Sequence, residues 1–414
     1  MRIMHVAWEY PPLIYGGLGR HVEALTRAQA ARGDDVIVLS QSADDRLTTE
    51  IIDGVRIIRA PHDPPHVPFS EETLLAWVLG MQTGMVRAAA AAGAGATDIV
   101  HAHDWVTAHA AIGLRDILPA SALVATIHAT EAGRHQGWLP GPLSDAIHST
   151  EHWLVHQAQG VIVCSQHMRR EIERLFDRPQ ERVSVIANGI DTVRWRASAE
   201  RTSRARNAHG PHGPLVVFVG RLEWEKGAHT LIDALHRLRR AHPGLRAVIA
   251  GRGSHEDVLV EQVRRRRLGR AVDFAGWLPE AELHALIAAA DVLVVPSLYE
   301  PFGLVALEGA ALGAPLVVAR TGGLAEFVED GATGRTFTPG DVADLTRVVT
   351  AAIADPSGSS LMTRKARALL RDAYGWTVLA DEVAQVYDRA TRSARPGEIP
   401  AVRIPDRAVN LLHS

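Results

Sequence analysis

Lysine is almost missing from this 414-residue sequence: of its 44 basic residues only Lys226 and Lys365 are lysine. Arginine fills the rest, so a surviving lysine marks either chance or a place where a compact ammonium serves and a flat guanidinium does not. Cysteine is scarcer, with Cys164 alone. No intrachain disulfide can form, which favours a reducing compartment. Cys164 follows Gly160-Val161-Ile162-Val163 and reads as a small core residue. Charge of one sign is not in excess: the formal net charge is -3, too small a field to draw nucleic acid or anionic lipid. Long apolar runs are missing as well. None approaches the ~20 residues that span a bilayer, and the richest, 303–319, contains Glu308. The start, Met1 to Ala7, is apolar but meets Trp8, Glu9 and two prolines, which reads as a buried strand and not a signal peptide. These absences predict a soluble cytoplasmic protein, with no nucleic-acid partner and no stable membrane insertion.

What is present is an alternation. Short apolar runs at 1–7, 35–39, 55–59, 99–102, 122–127, 160–163 and 183–186 read as strands, with helix-length stretches such as 19–32 and 73–92 between them. The pattern restarts with strands at 215–219, 247–250, 272–274, 292–295, 315–318 and 335–337, and helices at 228–241, 255–267, 279–289, 303–312 and 324–328. Such alternation implies βαβ units and parallel sheets covered on both faces. The predicted class is α/β, two Rossmann-like doubly wound domains facing a cleft. The boundaries fall at 1–195, a linker 196–214, 215–374, a last helix 375–392 and a tail 393–414. Ligands in such sheets lie beyond the carboxyl ends of the strands, so the loops there carry the chemistry.

Several loops fit that position. Gly16-Gly17-Leu18-Gly19 opens the first helix; it is either a tight turn or a place where helix-start amides meet an anion. His101-Ala102-His103-Asp104-Trp105 ends a strand, and two histidines two apart raise a metal, yet no Cys or Glu cluster lies nearby in sequence to complete a ligand set. Hydrogen bonding, with Asp104 holding a hydroxyl or an imidazole, fits better. His128 follows the next strand, and Glu131, Arg134, Gln136 and Trp138 form a polar, aromatic loop of the kind that binds sugar. Arg221 and Lys226 flank a strand-to-helix loop; a fork and a point charge five residues apart suit a diphosphate. Gly251 and Gly253 offer close backbone approach to a nucleoside, and Thr321-Gly322-Gly323 repeats the strand, turn and helix logic.

The sharpest feature is Ser297-Leu298-Tyr299-Glu300-Pro301-Phe302-Gly303-Leu304-Val305-Ala306-Leu307-Glu308. Glu300 stands in the loop and Glu308 inside an otherwise apolar helix, where a carboxylate needs a partner. Amides at Phe302, Gly303 and Leu304 can hold phosphate. Two carboxylates flanking one helix start can each grip a vicinal diol, one of a hexose and one of a ribose.

The Glu300/Glu308 pair, with seven residues between, resembles that of the retaining glycosyltransferases that include glycogen, sucrose and trehalose synthases. The glycine turn at 16–19, His101 to Trp105, Asn188-Gly189-Ile190-Asp191, Gly220-Arg221 with Lys226, and the Trp376 helix also look like that family, from about residue 1 to 390. The resemblance implies the GT-B fold, an N-terminal acceptor-side domain, and a last helix that crosses back to it. Trp8-Glu9-Tyr10-Pro11-Pro12 is similar to glycogen-synthase-like actinobacterial α-1,4-glucosyltransferases, and residues 128–138 to the enzyme that elongates methylglucose lipopolysaccharide. Bacterial glycogen synthases carry a lysine just before the glycine turn, where this chain has Ile14-Tyr15. By the same resemblance, catalysis would rest on His128, Glu300, Arg221 and Lys226. The donor would contact Gly17, Gly251, Gly253, Phe302, Gly303, Leu304, Glu308, Thr321 and Gly322. The acceptor would contact Tyr15, Asp104, Glu131, Arg134, Gln136 and Trp138. No cofactor and no metal are implied, since Arg221 and Lys226 replace the cation. The partners would be ADP-glucose or UDP-glucose and a glucan or oligosaccharide acceptor; a homodimer is left open. The alternatives are transfer to a lipid or small molecule, and a nucleotide-sugar-binding protein without turnover. A dinucleotide oxidoreductase is disfavoured because Gly-x-Gly-x-x-Gly is absent.

Overall fold

The structure, a computed structural model, describes residues 1–118 and 121–393; the expected tail, from 394 on, lies outside the described residues. In chain order the first half contains β1 (Arg2–Val6), α1 (Gly17–Ala31), β2 (Asp35–Gln41), β3 (Thr48–Ile52), β4 (Val55–Ala60), α2 (Leu74–Ala91), β5 (Ile99–His103), α3 (Ala108–Ile117), β6 (Ala122–Ile127), α4 (Glu131–Arg134), α5 (Pro142–Gln157), β7 (Gly160–Val163), α6 (Gln166–Phe176) and β8 (Val183–Val185). There follow α7 (Ala199–His209), β9 (Leu215–Val219), α8 (Ala228–Ala241), β10 (Arg246–Ala250), α9 (Glu256–Arg265), β11 (Val272–Gly276), α10 (Glu280–Ala289), β12 (Val292–Val295), α11 (Leu304–Leu312), β13 (Leu316–Ala319), α12 (Leu324–Phe327), β14 (Arg335–Phe337), α13 (Val342–Ala354), α14 (Pro356–Ala373) and α15 (Trp376–Ser393).

Two sheets result, ordered β3-β4-β2-β1-β5-β6-β7-β8 and β11-β10-β9-β12-β13-β14. The second is parallel throughout. In the first, β4, β2, β1, β5 and β6 pair in parallel, and β3 returns antiparallel along β4. Strands such as β9, β12 and β13 are continuous apolar runs because both faces are covered, so no polar alternation is needed. Val216, Phe218, Val292, Val294 and Val317 pack against Leu231 and Leu235 of α8 in the second core.

The chain divides into two compact units. Among the described residues, unit 1 holds 1–118, 121–126, 150–161 and 383–393; unit 2 holds 127–149 and 162–382. Several elements depart from the sequence reading, the exposed strand β3 among them. The stretch expected as linker contains α7, whose N-cap Ser198 accepts from the Arg201 amide and whose Arg206 bonds Asp291 at 2.5 Å. Also, α2 is 18 residues long with mean hydropathy 1.2, enough by length and composition to cross a membrane, and 44% of it is buried inside the fold. The sequence reading passed over it because Gly80, Gln82, Thr83 and Gly84 break the apolar run.

Candidate functional site

In unit 2 the ends of β9, β10, β12 and β13 lead into the loops that carry the expected donor residues. The loop after β12 brings Glu300 against Lys226: the ammonium donates to Glu300 Oε2 at 2.9 Å, and Ser297 Oγ donates to the same oxygen at 3.0 Å. Both charged side chains are largely buried, at 19% and 14% exposure. An ammonium has three donors, so two remain for an anion. The peptide of Glu300 is fixed too, its carbonyl accepting from the Gly323 amide at 3.0 Å. Gly322 stands at φ +51 and a Cβ there would lie 1.9 Å from that carbonyl oxygen, so the turn after β13 admits only glycine.

Arg221, half exposed, pairs with Glu225 at 3.1 Å. The backbone carbonyl of Glu225 accepts from Leu298 at 2.8 Å, tying the Arg221–Lys226 loop to the Glu300 loop. Gly251, at φ +141, and Gly253 press against the carbonyls of Gly220 and Leu222; neighbour-loop packing by itself requires both glycines. Thr321 Oγ1 donates to Leu298 O at 3.3 Å. Phe302 is buried, Gly303 precedes α11, Leu304 opens it and Glu308 is buried within it. Helix-start amides lack intrahelical acceptors, so Leu304 and Val305 present donors beside Glu300.

The 128–138 segment also belongs to unit 2. His128 keeps some exposed surface, yet burial pushes its pKa down to about 4, so the ring is neutral at pH 7. Glu131, buried, accepts from Ser144 at 2.7 Å and lies 3.2 Å from His135 and 3.8 Å from Arg134. Gln136 adopts φ +57 and Trp138 is exposed.

Sequence reasoning missed a buried carboxylate in this unit. Glu171 of α6 is buried, and its Oε1 accepts from Thr130 Oγ1 at 2.6 Å and from the Tyr299 hydroxyl at 2.8 Å. Burial pushes its pKa up, but hydrogen bonds from His167, Thr130 and Tyr299 outweigh that and hold it below the usual range. Burial and the neighbouring Glu171 charge push the Tyr299 phenol well above its ordinary value. Cys164 is buried as expected, its thiol 3.5 Å from the Pro301 carbonyl.

In unit 1 the glycine turn is organised by Glu9, which sequence reading did not single out for a role. Its carboxylate accepts from the amides of Tyr15 at 2.6 Å and Gly16 at 2.9 Å, at the start of α1. Burial raises its pKa against these bonds. Gly17 is the first residue of α1, Tyr15 stacks on Trp8 with centroids 5.1 Å apart, and Asp104 is buried at φ +61.

His101 and His103 join a buried relay. His5 Nε2–H donates to Gln29 Oε1 at 2.7 Å, so His5 Nδ1 accepts, and His103 Nε2–H donates to it at 3.0 Å. Gln29 Nε2 donates to the Tyr387 hydroxyl at 3.1 Å, which donates to His101 Nδ1 at 2.7 Å; His101 Nε2–H then donates to Thr126 Oγ1 at 2.7 Å. With this orientation of the Gln29 amide, all three rings carry the proton on Nε2. Their nitrogens lie within 4.8 Å of one another, a spacing open to a metal ion, but the lone pairs on His5 Nδ1 and His101 Nδ1 are already used.

Comparison with known proteins gives the family and the fold. Residues 15–194 match Glycosyltransferase Family 4, and 199–369 match Glycosyl transferases group 1. The chain belongs to the glycosyltransferases. It is 45% identical to a glycogen synthase of Mycobacterium tuberculosis, over 98% of this chain and 100% of that one. Ile14-Tyr15 before the glycine turn therefore does not set this glycosyltransferase apart from the glycogen-synthase-like group. Its fold is GT-B. The catalytic domain of starch synthase IV from Arabidopsis thaliana, bound to ADP and acarbose, is 20% identical with TM-score 0.77, covering 94% of this chain and 99% of that one. Anabaena HepE in complex with UDP-glucose is 22% identical with TM-score 0.75, at 94% and 99% coverage.

Proposed function

We propose that this glycosyltransferase moves glucose, with retention, from ADP-glucose or UDP-glucose to the 4-hydroxyl of a glucan or oligosaccharide. The observation that carries the reading is the partly buried Lys226–Glu300 pair, 2.9 Å apart, beside the start of α11. Likeness along nearly the whole chain to a protein named glycogen synthase supports glucose as the sugar and a glucan as acceptor. Relatives of the same fold bound to ADP and to UDP-glucose support a nucleotide donor.

In this reading Lys226 and Arg221 meet the diphosphate and stabilise the charge that grows on it as the glycosidic bond breaks, without a metal. Helix-start amides at Leu304 and Val305 add to that cradle. Glu300 accepts from glucose hydroxyls and Glu308 from the ribose diol. Neutral His128 hydrogen-bonds the sugar, since a ring with pKa near 4 carries no charge to donate as an acid at pH 7. No protein group is then placed as a nucleophile, and the acceptor proton passes to the leaving phosphate. Gly17, Tyr15, Asp104, Glu131, Arg134, Gln136 and Trp138 complete the proposed binding set. The single buried cysteine fits action in a reducing cytoplasm.

The test is a release assay with purified protein, both glucose donors, and maltooligosaccharide and trehalose-like acceptors, with product linkage and anomeric configuration read by NMR. Release of nucleotide diphosphate with a new α-1,4 bond is expected. Failure to consume any nucleotide sugar sinks the reading, and transfer to a lipid alone redirects it.

A further inference from the structure

Glu300 is bracketed by α6. The residue before it, Tyr299, donates its hydroxyl to Glu171 of α6 at 2.8 Å. The residue after it, Pro301, gives its carbonyl to the hydroxyl of Ser165, the N-cap of α6, at 2.7 Å. A third tie comes from Glu326, whose carboxylate accepts from the first amides of α6, Gln166 and His167, at 2.9 and 2.7 Å. Thr130, two residues beyond His128, donates to the same Glu171 oxygen at 2.6 Å, and its Oγ1 also accepts from Gly133. There is no slack: a Cβ on Gly133 would lie 2.3 Å from the Tyr299 hydroxyl and 2.7 Å from Glu171 Oε1.

We propose that Glu171 is a positioning residue that registers the Glu300 loop against the His128–Arg134 segment, through one buried carboxylate oxygen shared by Tyr299 and Thr130. A buried charge is a poor device for stability alone, because well-packed apolar groups do as well or better. Two hydroxyls converging on one ionised acceptor give directional, charge-assisted bonds instead. They fix two backbones to within the tolerance that transfer chemistry needs, where misplacement by about 1 Å costs about 100-fold. Glu171 touches neither donor nor acceptor in this scheme. It acts through Tyr299 on Glu300, and through Thr130 on His128.

The inference rests on the proposed transferase function, and its test keeps the two apart. Wild type, E171A, E171Q, Y299F and T130V are compared by steady-state kinetics, by calorimetric binding of UDP and ADP, and by amide hydrogen exchange. E171A is expected to lower kcat about 100-fold while nucleotide Kd stays within about threefold, since the phosphate-binding loops remain. Y299F gives a smaller loss, and E171A/Y299F is no worse than E171A because both remove one contact. E171Q, whose amide oxygen still accepts, recovers most of the rate. Exchange rises in E171A within both 128–134 and 297–303. Wild-type kcat in E171A, losses that multiply in the double variant, or exchange that rises in α6 alone overturns the proposal. Should E171A fail to fold, Y299F and T130V must each loosen both segments; loosening of only one overturns it equally. Should wild type consume no nucleotide sugar, the transferase reading fails, and the exchange pattern alone still decides whether Glu171 couples the segments.

Discussion

Lys226 and Glu300 hold each other inside the protein, and each leaves the other exposed to error if removed. Glu300→Ala is expected to abolish transfer, by 1000-fold or about that in kcat/KM, while the thermal midpoint moves by only a few degrees. Near-wild-type turnover would mean the donor site is elsewhere. Lys226→Arg tests the compact-charge argument: a guanidinium fork cannot replace a point charge 2.9 Å from a carboxylate that Ser297 also occupies. A loss of about 100-fold in kcat/KM is expected, with the folded CD spectrum retained. The sequence reading singled out both residues because their signals are local, a glutamate pair around a helix start and a lysine kept among arginines. Glu171 and Glu9 were not. Each acts through atoms whose sequence neighbours give no hint of them: Glu171 meets Tyr299 across 128 positions, and Glu9 meets a turn whose own glycines dominate the pattern.

Among elements, the buried parallel strands were the easiest to find, since β9, β12 and β13 are unbroken apolar runs and β10 is one after Arg246. β3 escaped because all five of its residues are exposed, which leaves no burial pattern to see. A turn signal did exist: Asp53 and Gly54, both at positive φ, join Ile52 to its partner Val55 as a two-residue hairpin. α7 escaped because none of its residues is buried, so no apolar stripe marks it. At this scale Gly322→Ala is a sharp probe. The new methyl group would strike the Glu300 carbonyl, so the turn must shift and take Glu300 with it. Donor KM should rise at least about tenfold, and stability should fall by about 1–3 kcal/mol; unchanged donor KM would show that the turn does not set Glu300.

At the scale of the whole chain, each unit has its own core, and the buried polar relay of unit 1 sets how that core answers to acid. Burial lowers His5 from 6.5 to about 4. Between those values the unfolded chain binds a proton that the folded one does not, so stability declines as pH falls from 6.5 towards 4 and levels off below. The loss from His5 alone is at most about 3 kcal/mol. Thermal melts across that window should show the slope, and His5→Asn should flatten it; an equal slope in the variant would mean other groups are responsible. Tyr387→Phe removes two hydrogen bonds of the relay while keeping the ring, and should cost about 1–3 kcal/mol with kcat retained. A fall in kcat without a fall in melting temperature would assign Tyr387 a different role. The scarcity of lysine has a practical side at this scale. An amine-directed reagent meets only the N-terminal amine, which pairs with Asp34, the exposed Lys365, and Lys226 beside Glu300. If Lys226 meets the donor as proposed, nucleotide sugar should lower the count of modified amines by one in intact mass; an unchanged count would place the donor away from Lys226.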